Sequence, residues 1–593
     1  ASRTQRPIVV CFIPYPPCRL RRGPPDSRCP WVLLAALPGL LLPLPSALAQ
    51  SDDVERGLQR RPGLENERPE LPEFDEREDV PLDLPAIESL AIPKDTLSGA
   101  PLVYLQKVQL TDATELTATD VGEASAAYLD RNVSAEELQQ LRAELTQLYI
   151  DRGYITSGVL LPDQRISDGT VRYQAVEGRL EALEVTTSGR LRPSYVESRL
   201  QGGGDEPLNV VDLREQLRIL HADPLIERVD SRLLPTQQRG SARLVVDVEE
   251  ARPYSLFLTA HNNRAPSVGS EWVELGFVHR NLLGFGDRAE LRYGTGDGLD
   301  DYQLGYAVPV TRSGITVGVS YAQSDAQIVE EPFSRIDIRS DSEEWALDVV
   351  VPWKRFGARR LTFIAGVDHR ESNTSLLGIP FSFSPGVNNG RAEVTAARLT
   401  ADWTDRRANQ VFALRGRISV GLDALDSTIN DGNLPDSEFV TFLGQAQWSR
   451  RFGENDNQLI LRGDLQKTFD GLLPLEKLSI GGRTSVRGYR QNLMVRDNGW
   501  VASAEFRMPA FRNSNGRSNF QWSVFADIGR GWNEDFDTPE PKSIASVGAG
   551  FLWDPLPGLH TELYLAHGFE DIEFSDSDPQ DDGIHLLVRY DIF

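Results

Sequence analysis

The sequence predicts a mainly β protein: a transmembrane antiparallel β-barrel of about sixteen strands, preceded by two α+β domains. Two observations predict this class. From about Pro253 to Phe593, period-two alternation of apolar and polar residues is broken only by connections rich in glycine and polar residues, and a helical period occurs only upstream. After residue 50, no apolar run approaches the ~20 residues that a membrane-spanning helix needs. A membrane-embedded chain of this composition must therefore cross as strands.

The connections between these strands alternate in length, which indicates a barrel over residues 252–593. Short turns on one rim and long loops on the other are typical of bacterial outer-membrane barrels, and an even strand number returns both ends to one side. The predicted short connections are Asn281–Gly286, Val310–Ser313 and Trp353–Gly357, and the long ones are Gln323–Ser340, Glu371–Gly390 and Asp426–Ser437.

The two faces of the predicted strands differ in polarity, as expected for a barrel with lipid outside and a water-filled lumen inside. The segment Phe520–Gly529 is the clearest example. One face is apolar and is expected to contact lipid, and the other contains polar residues and is expected to line the lumen, because a barrel this wide is not filled by side chains. The first face consists of Phe520, Trp522, Val524, Ala526 and Ile528, and the second of Gln521, Ser523, Phe525, Asp527 and Gly529.

Upstream of the barrel, residues 102–178 and 179–251 are predicted to form two small β-α-β-β domains. In the first, Ser134 and Glu137 form a capping box that begins a helix with leucines at helical spacing. In the second, a helix is predicted over Val211–His221. The alternative is a single larger α+β domain.

Residues 1–49 are interpreted as a presequence, and residues 50–100 as a linker with room for a short helix. Trp31–Ala49 has the apolar run and small-residue end of a secretory signal, and its prolines disfavour a membrane anchor. The linker is rich in Pro, Glu, Asp and Arg and poor in aromatic residues, a composition that buries little. All three cysteines, Cys11, Cys18 and Cys29, precede residue 50, which is consistent with export into an oxidising compartment.

Composition also excludes several functions. The formal net charge of −25 disfavours a nucleic-acid partner, whose phosphates would be repelled. The seven histidines show no ligand spacing, so no metal site is expected, and no cofactor motif is present. We find no convincing Ser/His/Asp arrangement and predict no enzymatic activity.

The most informative segment is LSIGGRTSVRGY, residues 478–489, within a long connection between two alternating strands. Forty residues later comes FADIG, residues 525–529, in which Phe525, Asp527 and Gly529 fall on the predicted lumen face. Together these elements resemble the outer-membrane transporters that carry POTRA domains, in particular the two-partner secretion transporters of the ShlB-type haemolysin secretion and activation family.

The resemblance implies a specific site and function. The sixth surface loop of that superfamily folds back into the barrel, and its VRGY arginine contacts the aspartate of an F-x-D-x-G strand. The matching residues here are Val486, Arg487, Gly488 and Tyr489, against Phe525, Asp527 and Gly529. Arginine suits this contact because its planar fork binds a carboxylate through two hydrogen bonds. The alternative is that the pair only holds the loop in place.

By the same resemblance, two POTRA domains in the periplasm would capture a large adhesin- or haemolysin-type exoprotein, and the barrel in the bacterial outer membrane would export it. Linker residues 50–100 would contain a plug helix, and terminal Phe593 would be read by the barrel-assembly machinery. The main alternative is an assembly insertase of the same superfamily. A general porin would lack both the POTRA domains and the inward-folded loop.

Overall fold

The computed structural model describes residues 71–72, 74, 82–84, 102–166, 168–200, 206–311, 313–356, 359–512 and 518–593. These residues form two α/β modules followed by a barrel. The predicted presequence and most of the predicted linker, including its plug helix, lie outside the described residues. Within the described ranges, no helix has the length and apolar character needed to cross a bilayer.

The first α/β module contains a three-stranded sheet in the order β3-β6-β5, a separate pair β2-β4, and two helices. The capping box at Ser134 and Glu137 is present and begins α2, whose leucines 138, 141 and 145 are buried. Sequence analysis missed the shorter α1, which begins with a capping box of its own at Thr117 and Asp120. The elements are β2 (Val103–Leu105), β3 (Lys107–Thr111), α1 (Ala118–Ser125), β4 (Arg131–Val133), α2 (Ala135–Asp151), β5 (Gly158–Leu160) and β6 (Thr170–Val176).

The second α/β module has a core of its own and a four-stranded sheet in the order β1-β8-β9-β7. The predicted helix at Val211–His221 is present one residue earlier as α4, and α3 was not predicted. The elements are β7 (Arg179–Thr187), α3 (Pro193–Leu200), α4 (Val210–His221), β8 (Ile226–Pro235) and β9 (Ser241–Glu250).

The remaining strand of this sheet, β1 (Leu82–Asp83), comes from the segment that composition assigned to a linker. It pairs in parallel with β8, and Leu82 and Leu84 pack against the core of the second module. The expectation that this segment buries little is therefore wrong at these residues. The composition of a long segment does not reveal that two of its leucines, Leu82 and Leu84, pack beside β8, the edge strand that β1 covers.

Sixteen of the described strands close into one antiparallel barrel. The first, β10, pairs with the last, β28, with Phe257 opposite Asp591 and His261 opposite Leu587, so neither strand leaves an open edge there. The sixteen strands are β10 (Tyr254–His261), β11 (Trp272–His279), β12 (Arg288–Gly296), β13 (Leu299–Pro309), β14 (Thr316–Gln327), β15 (Ile338–Phe356), β16 (Arg359–Leu376), β18 (Arg391–Arg406), β19 (Gln410–Leu422), β20 (Val440–Phe452), β21 (Asn457–Thr468), β24 (Asn498–Arg512), β25 (Ser518–Trp532), β26 (Ser543–Leu556), β27 (Leu559–Gly568) and β28 (Ile584–Asp591).

The connections on one rim are short turns and most of those on the other rim are longer loops; the exception is the connection of residues 297–298 between β12 and β13, which lies on the long-loop rim. Two of the predicted long loops are shorter than expected, because β14, β15 and β16 continue into the polar segments that sequence analysis assigned to loops. The third, predicted at Asp426–Ser437, is longer and covers residues 423–439. Trp353 lies within β15 and not in a turn. Backbone pairing does not require an apolar face beyond the lipid, so strands extend past the point where alternation fades. The short two-residue strand β17 (Ile379–Pro380) sits in one of these loops.

Side chains in β25 face as the alternation predicts. Trp522, Val524 and Ile528 are exposed, Trp522 by 52%, and Ser523 and Asp527 are buried. On β28, Leu586 and Tyr590 are exposed and His585 is buried, and Ile592, directly after the strand, is exposed as well. The apolar face thus reaches Ile592, and the pairing of β27 with β28 is continuous. The exposed apolar belt and the polar interior are the arrangement that a lipid-embedded barrel requires. The chain is therefore a transmembrane barrel with a polar lumen.

The second module is fixed to the barrel at the turn between β11 and β12. Arg192 donates its backbone N–H to Gly284 O at 3.1 Å, and its guanidinium carbon lies 3.8 Å from the ring centroid of Phe285. Asn281 donates from Nδ2 to Glu250 Oε1 at 2.6 Å. Gly286, with φ +78°, lies directly against the ring of Tyr195. The glycines of NLLGFG thus permit a close contact between module and barrel.

We expect Gly286→Ala to weaken this junction by about 1–3 kcal/mol. The alanine would have to keep φ +78°, and its Cβ would lie 2.2 Å from Cε2 of Tyr195. Limited trypsin digestion should then cleave faster at the exposed Arg190, which precedes Leu191 beside the junction, while the electrophoretic shift on heating that reports a folded barrel persists. Gly416→Ala, where a Cβ meets nothing within 4 Å, is the matched control. Equal digestion of the two variants would contradict this view of the junction.

Candidate functional site

The loop between β21 and β24, residues 469–497, folds into the barrel lumen, and we call it the lumen loop. It contains a short hairpin, β22 (Leu478–Ile480) paired with β23 (Met494–Arg496). Apolar side chains of the loop pack against the inner face of the barrel wall at Val501 and Ile544. The loop members of that cluster are Leu478, Ile480, Val486, Tyr489 and Met494. A long polar-looking connection is therefore a packed structural element.

Glycines allow the loop to turn back within the lumen. Gly481 and Gly482 follow β22 with φ +115° and +95°, and Gly488, at the tip, has φ +88°. A Cβ on Gly488 would lie 2.9 Å from the Cβ of Ala566 on β27, so only glycine fits between tip and wall. On the facing strand, a Cβ on Gly529 would lie 2.7 Å from Cγ2 of Ile480. Both motif glycines thus permit close approach of the loop to the barrel wall.

Arg487, at the tip, binds Asp527 of β25 through two parallel hydrogen bonds. Nε donates to Oδ2 at 2.7 Å and Nη2 donates to Oδ1 at 2.9 Å. The backbone N–H of Arg487 adds a third bond to Oδ2 at 3.2 Å. Only 4% of Arg487 and 3% of Asp527 is exposed. This is the bidentate geometry that arginine, and not lysine, can form.

The guanidinium group of Arg487 is enclosed by further groups of the wall. Its carbon lies 3.5 Å from the ring centroid of Phe525 and 5.0 Å from that of Tyr564. Nη1 donates to Glu505 Oε2 at 3.3 Å, and Nη2 donates to Ser503 Oγ at 3.3 Å. Aromatic faces and carboxylates both stabilise a cation. Removing one partner of a fully buried ion pair costs about 3–5 kcal/mol.

Glu505 of β24 belongs to this site, although sequence analysis did not select it. It is 1% exposed and accepts from Arg462 Nη1 at 2.7 Å and from Arg507 Nε at 2.6 Å. A signal was present in the sequence, because Ser503, Glu505 and Arg507 alternate with apolar residues on the strand after the loop. The lumen wall under the tip is thus a network of charges and not a single pair.

The other motif residues hold the tip against the wall. Val486 is fully buried in the loop cluster. Gly488 donates its backbone N–H to His585 Nε2 at 3.0 Å. Tyr489 donates its hydroxyl to Ala545 O at 3.0 Å and accepts from Glu570 N at 2.9 Å. The structure therefore brings all four residues of VRGY into contact with β25 to β28 or the loop between β27 and β28.

Arg490, the residue after the motif, ties the tip to two further loops. Its Nε donates to Asp581 Oδ1 at 2.5 Å, and its Nη1 donates to Glu330 Oε1 at 2.6 Å. Its guanidinium carbon lies 3.6 Å from the ring centroid of Phe574. Sequence analysis missed this residue, since a charged residue in a polar loop gives no signal of burial. The tip is thereby covered on the long-loop side of the lumen.

Two remaining expectations concern Phe593 and metals. Phe593 lies on the short-turn rim, where its carbonyl accepts from Leu256 N at 3.1 Å and its ring meets Tyr254 edge-on. Within the described ranges, no three His, Cys, Asp or Glu side chains are grouped as a metal ion requires.

Comparison with known proteins agrees with this architecture. The family model of the haemolysin secretion/activation protein ShlB/FhaC/HecB matches residues 240–552. The model of the ShlB-type POTRA domain matches residues 103–178, which is the first α/β module.

Individual relatives match over most of the chain. The outer membrane transporter CdiB of Dickeya dadantii is 24% identical over 477 residues, which cover 76% of this chain and 77% of the relative. The solved structure of CdiB from Escherichia coli has a TM-score of 0.63 at 19% identity and covers 92% of this chain and 99% of its own. BamA from Haemophilus ducreyi lacking POTRA domains 1–3 has a TM-score of 0.50 at 14% identity, covering 83% and 100%. These two structures show the fold. Because the family match spans more than half of the residues, this chain belongs to the haemolysin secretion/activation family ShlB/FhaC/HecB, the outer-membrane transporters of two-partner secretion.

Proposed function

We propose that this transporter captures one large exoprotein in the periplasm and exports it through the barrel lumen. The single observation that carries the proposal is the lumen loop, whose tip is held by the buried Arg487–Asp527 pair. A porin needs no such element. The client is expected to be the product of a neighbouring gene, with an amino-terminal secretion domain followed by a long β-helical region. Its activity, whether adhesin, haemolysin or toxin, is a property of that client.

The two α/β modules are proposed as the tandem POTRA domains that receive the client, residues 102–178 and 179–251. Short turns mark the periplasmic rim of outer-membrane barrels. The second module contacts the short turn at Gly284 and Phe285, which supports a periplasmic position for both modules.

Strand addition is the proposed mode of capture. An extended peptide that pairs with a sheet edge gains affinity from main-chain hydrogen bonds. In the first module, β3 and β5 are the outer strands of the three-stranded sheet among the described residues. In the second, β8 is already paired with β1 from the upstream segment. We therefore propose the edges of the first module as the site of capture, and β7, the outer strand of the second sheet, is the remaining candidate edge.

Export requires the lumen loop to leave its docked position. Its tip spans the inner faces of β24 to β28, so an extended client cannot use that part of the lumen while the tip is docked. The Arg487–Asp527 pair is proposed as the contact that holds the docked state and is broken during transport. Without a nucleotide motif in the sequence, the drive must come from elsewhere, and folding of the client outside the cell can supply it.

Three further segments are proposed to act in export, plugging and assembly of the barrel. Residues 1–49 are proposed as the export signal, and residues 50–100 as the segment that contributes a plug. Phe593 lies two residues after the last strand, on the short-turn rim, which supports its proposed role as the residue that the barrel-assembly machinery reads.

The insertase alternative makes a different prediction. The likeness to BamA concerns the fold alone, and an insertase would act on many outer-membrane proteins. Deleting the gene should therefore lower the levels of several barrels if the chain is an insertase, and should abolish secretion of one client if it is a transporter.

We expect Arg487→Ala to lower client export about tenfold or more while the barrel remains inserted and heat-modifiable. The physical reason is the loss of a buried interaction of about 3–5 kcal/mol that defines the docked loop. Arg487→Lys should be intermediate, because it keeps the charge but not the two-pronged geometry. Secretion of the neighbouring gene product into the medium is the measurement. Arg335→Ala is the control, because Arg335 is exposed and its ion pair is with Glu331 of the same exposed loop. Unchanged export with Arg487→Ala would remove the loop from the mechanism.

Deleting residues 102–178 is expected to abolish client capture without preventing membrane insertion. The deleted residues have their own hydrophobic cluster, and the partly buried Ile155 is the one member of the first module that packs against the core of the second among the described residues, so the barrel should assemble without them. Binding of the client's purified secretion domain to the transporter in detergent measures capture, and heat-modifiability measures assembly. Capture retained by the truncated protein would contradict the docking role of the first module.

A further inference from the structure

The lumen loop has a second charged contact far from its tip. Glu476, near the start of the loop and 5% exposed, accepts from Arg398 Nη2 at 2.7 Å and Nη1 at 3.1 Å. Arg370 adds a bond from Nη1 at 3.3 Å. Arg398 lies on β18 and Arg370 on β16, so this contact is made with a different part of the wall from the one that holds Arg487.

An apolar contact accompanies Glu476. Leu472 and Leu473 are fully buried and pack against Val394 and Ala396 of β18 and against Phe439. Lumen-facing residues of a wide barrel normally meet water, so an apolar patch on the inner face of β18 requires a cover. Residues 470–477, which we call the entering arm, provide it. Charge and apolar surface thus both match this arm to the same wall.

The tip and the entering arm place opposite charges against different parts of the barrel wall. The tip brings the cation Arg487 to β24 and β25, and the entering arm brings the anion Glu476 to β16 and β18. Strands β19, β20 and β21 separate these walls around the barrel. The loop therefore contacts the lumen wall at separate places, and Glu476 holds the entering arm where Arg487 holds the tip.

The two arginines that bind Glu476 keep other carboxylate partners when the entering arm undocks. Asp368 accepts from Arg398 Nε at 2.6 Å and lies 3.2 Å from Arg370 Nε, and Glu344 Oε2 lies 3.6 Å from Arg370 Nε. Leaving a buried charge without a partner is the main cost of breaking an ion pair, and here each arginine retains a carboxylate. The arm can thus undock without stranding a cation.

We infer that Glu476 is a second positioning residue of the lumen loop, which anchors the entering arm on the β16–β18 wall and must release together with Arg487 when a client passes. The anchoring stands on the geometry alone. Its release during transport rests on the proposed function.

Thiol accessibility of the entering arm tests the anchor. Leu473→Cys, with Cys11, Cys18 and Cys29 replaced by serine, reports whether the arm is docked, since Leu473 is fully buried in the docked state. In the full-length protein in detergent micelles, we expect Glu476→Gln to increase the rate of modification by a charged methanethiosulfonate reagent about tenfold, as the loss of charge-assisted hydrogen bonds implies. Glu454→Gln, at an exposed acid in the turn after β20, is the matched control.

Each outcome decides the inference. Faster modification with Glu476→Gln than with Glu454→Gln supports the anchor, and equal rates overturn it. If Glu476→Gln does not give a heat-modifiable barrel, Glu476→Asp takes its place: it keeps the carboxylate one methylene short and should increase the rate by a smaller factor, whereas no increase overturns the anchor. The assay contains no client, so a failure of the proposed export function, measured separately by secretion, leaves the labelling result intact.

Discussion

The structure depends on one constraint: a strand in hydrocarbon cannot leave its backbone groups unpaired. Pairing of β10 with β28 meets that constraint by closing the sheet, and the alternation of side chains then has a fixed meaning. Apolar residues such as Trp522 face lipid, and residues such as Asp527 must face inward. Closure of sixteen strands encloses more space than side chains can fill. The polar lumen is a consequence of closure, and so is the need for something to occupy it.

The lumen loop occupies that space with the same chemistry that lines it. Ion pairs placed in a lumen with little solvent access are stronger than surface pairs, which are worth about 0–1 kcal/mol, yet they remain breakable if each side keeps other partners. Both Glu505 and Asp368 are buried on the wall; Glu505 contacts three arginines and Asp368 contacts two. Such networks give a docked loop a defined position without making the docking permanent. A transporter that passes a whole polypeptide requires both properties.

Sequence reasoning identified the barrel, the two modules and the strand faces because each rests on a periodic pattern. The contact of Arg487 with Asp527 came from a motif resemblance, and no periodicity could have paired residues on a loop and a strand forty positions apart. Glu476 and Arg490 gave no signal, since a charged residue in a polar loop looks exposed until the loop is known to fold inward. The loops around β15 and β16 were predicted too long because backbone pairing continues beyond the apolar pattern. The pairing of Leu82 with β8 depends on an open edge that composition does not reveal.

The most direct test asks whether an exporting client passes the surface that the docked loop covers. A photoreactive phenylalanine analogue at Phe525, which stacks on Arg487 inside the lumen, is compared with the same analogue at Trp522, three positions earlier in chain order and on the lipid face. A client carrying a folded domain that arrests it in transit should crosslink from position 525 and not from 522. Crosslinking from 522, or an arrested client that never crosslinks from 525, would contradict passage through the lumen past a released loop.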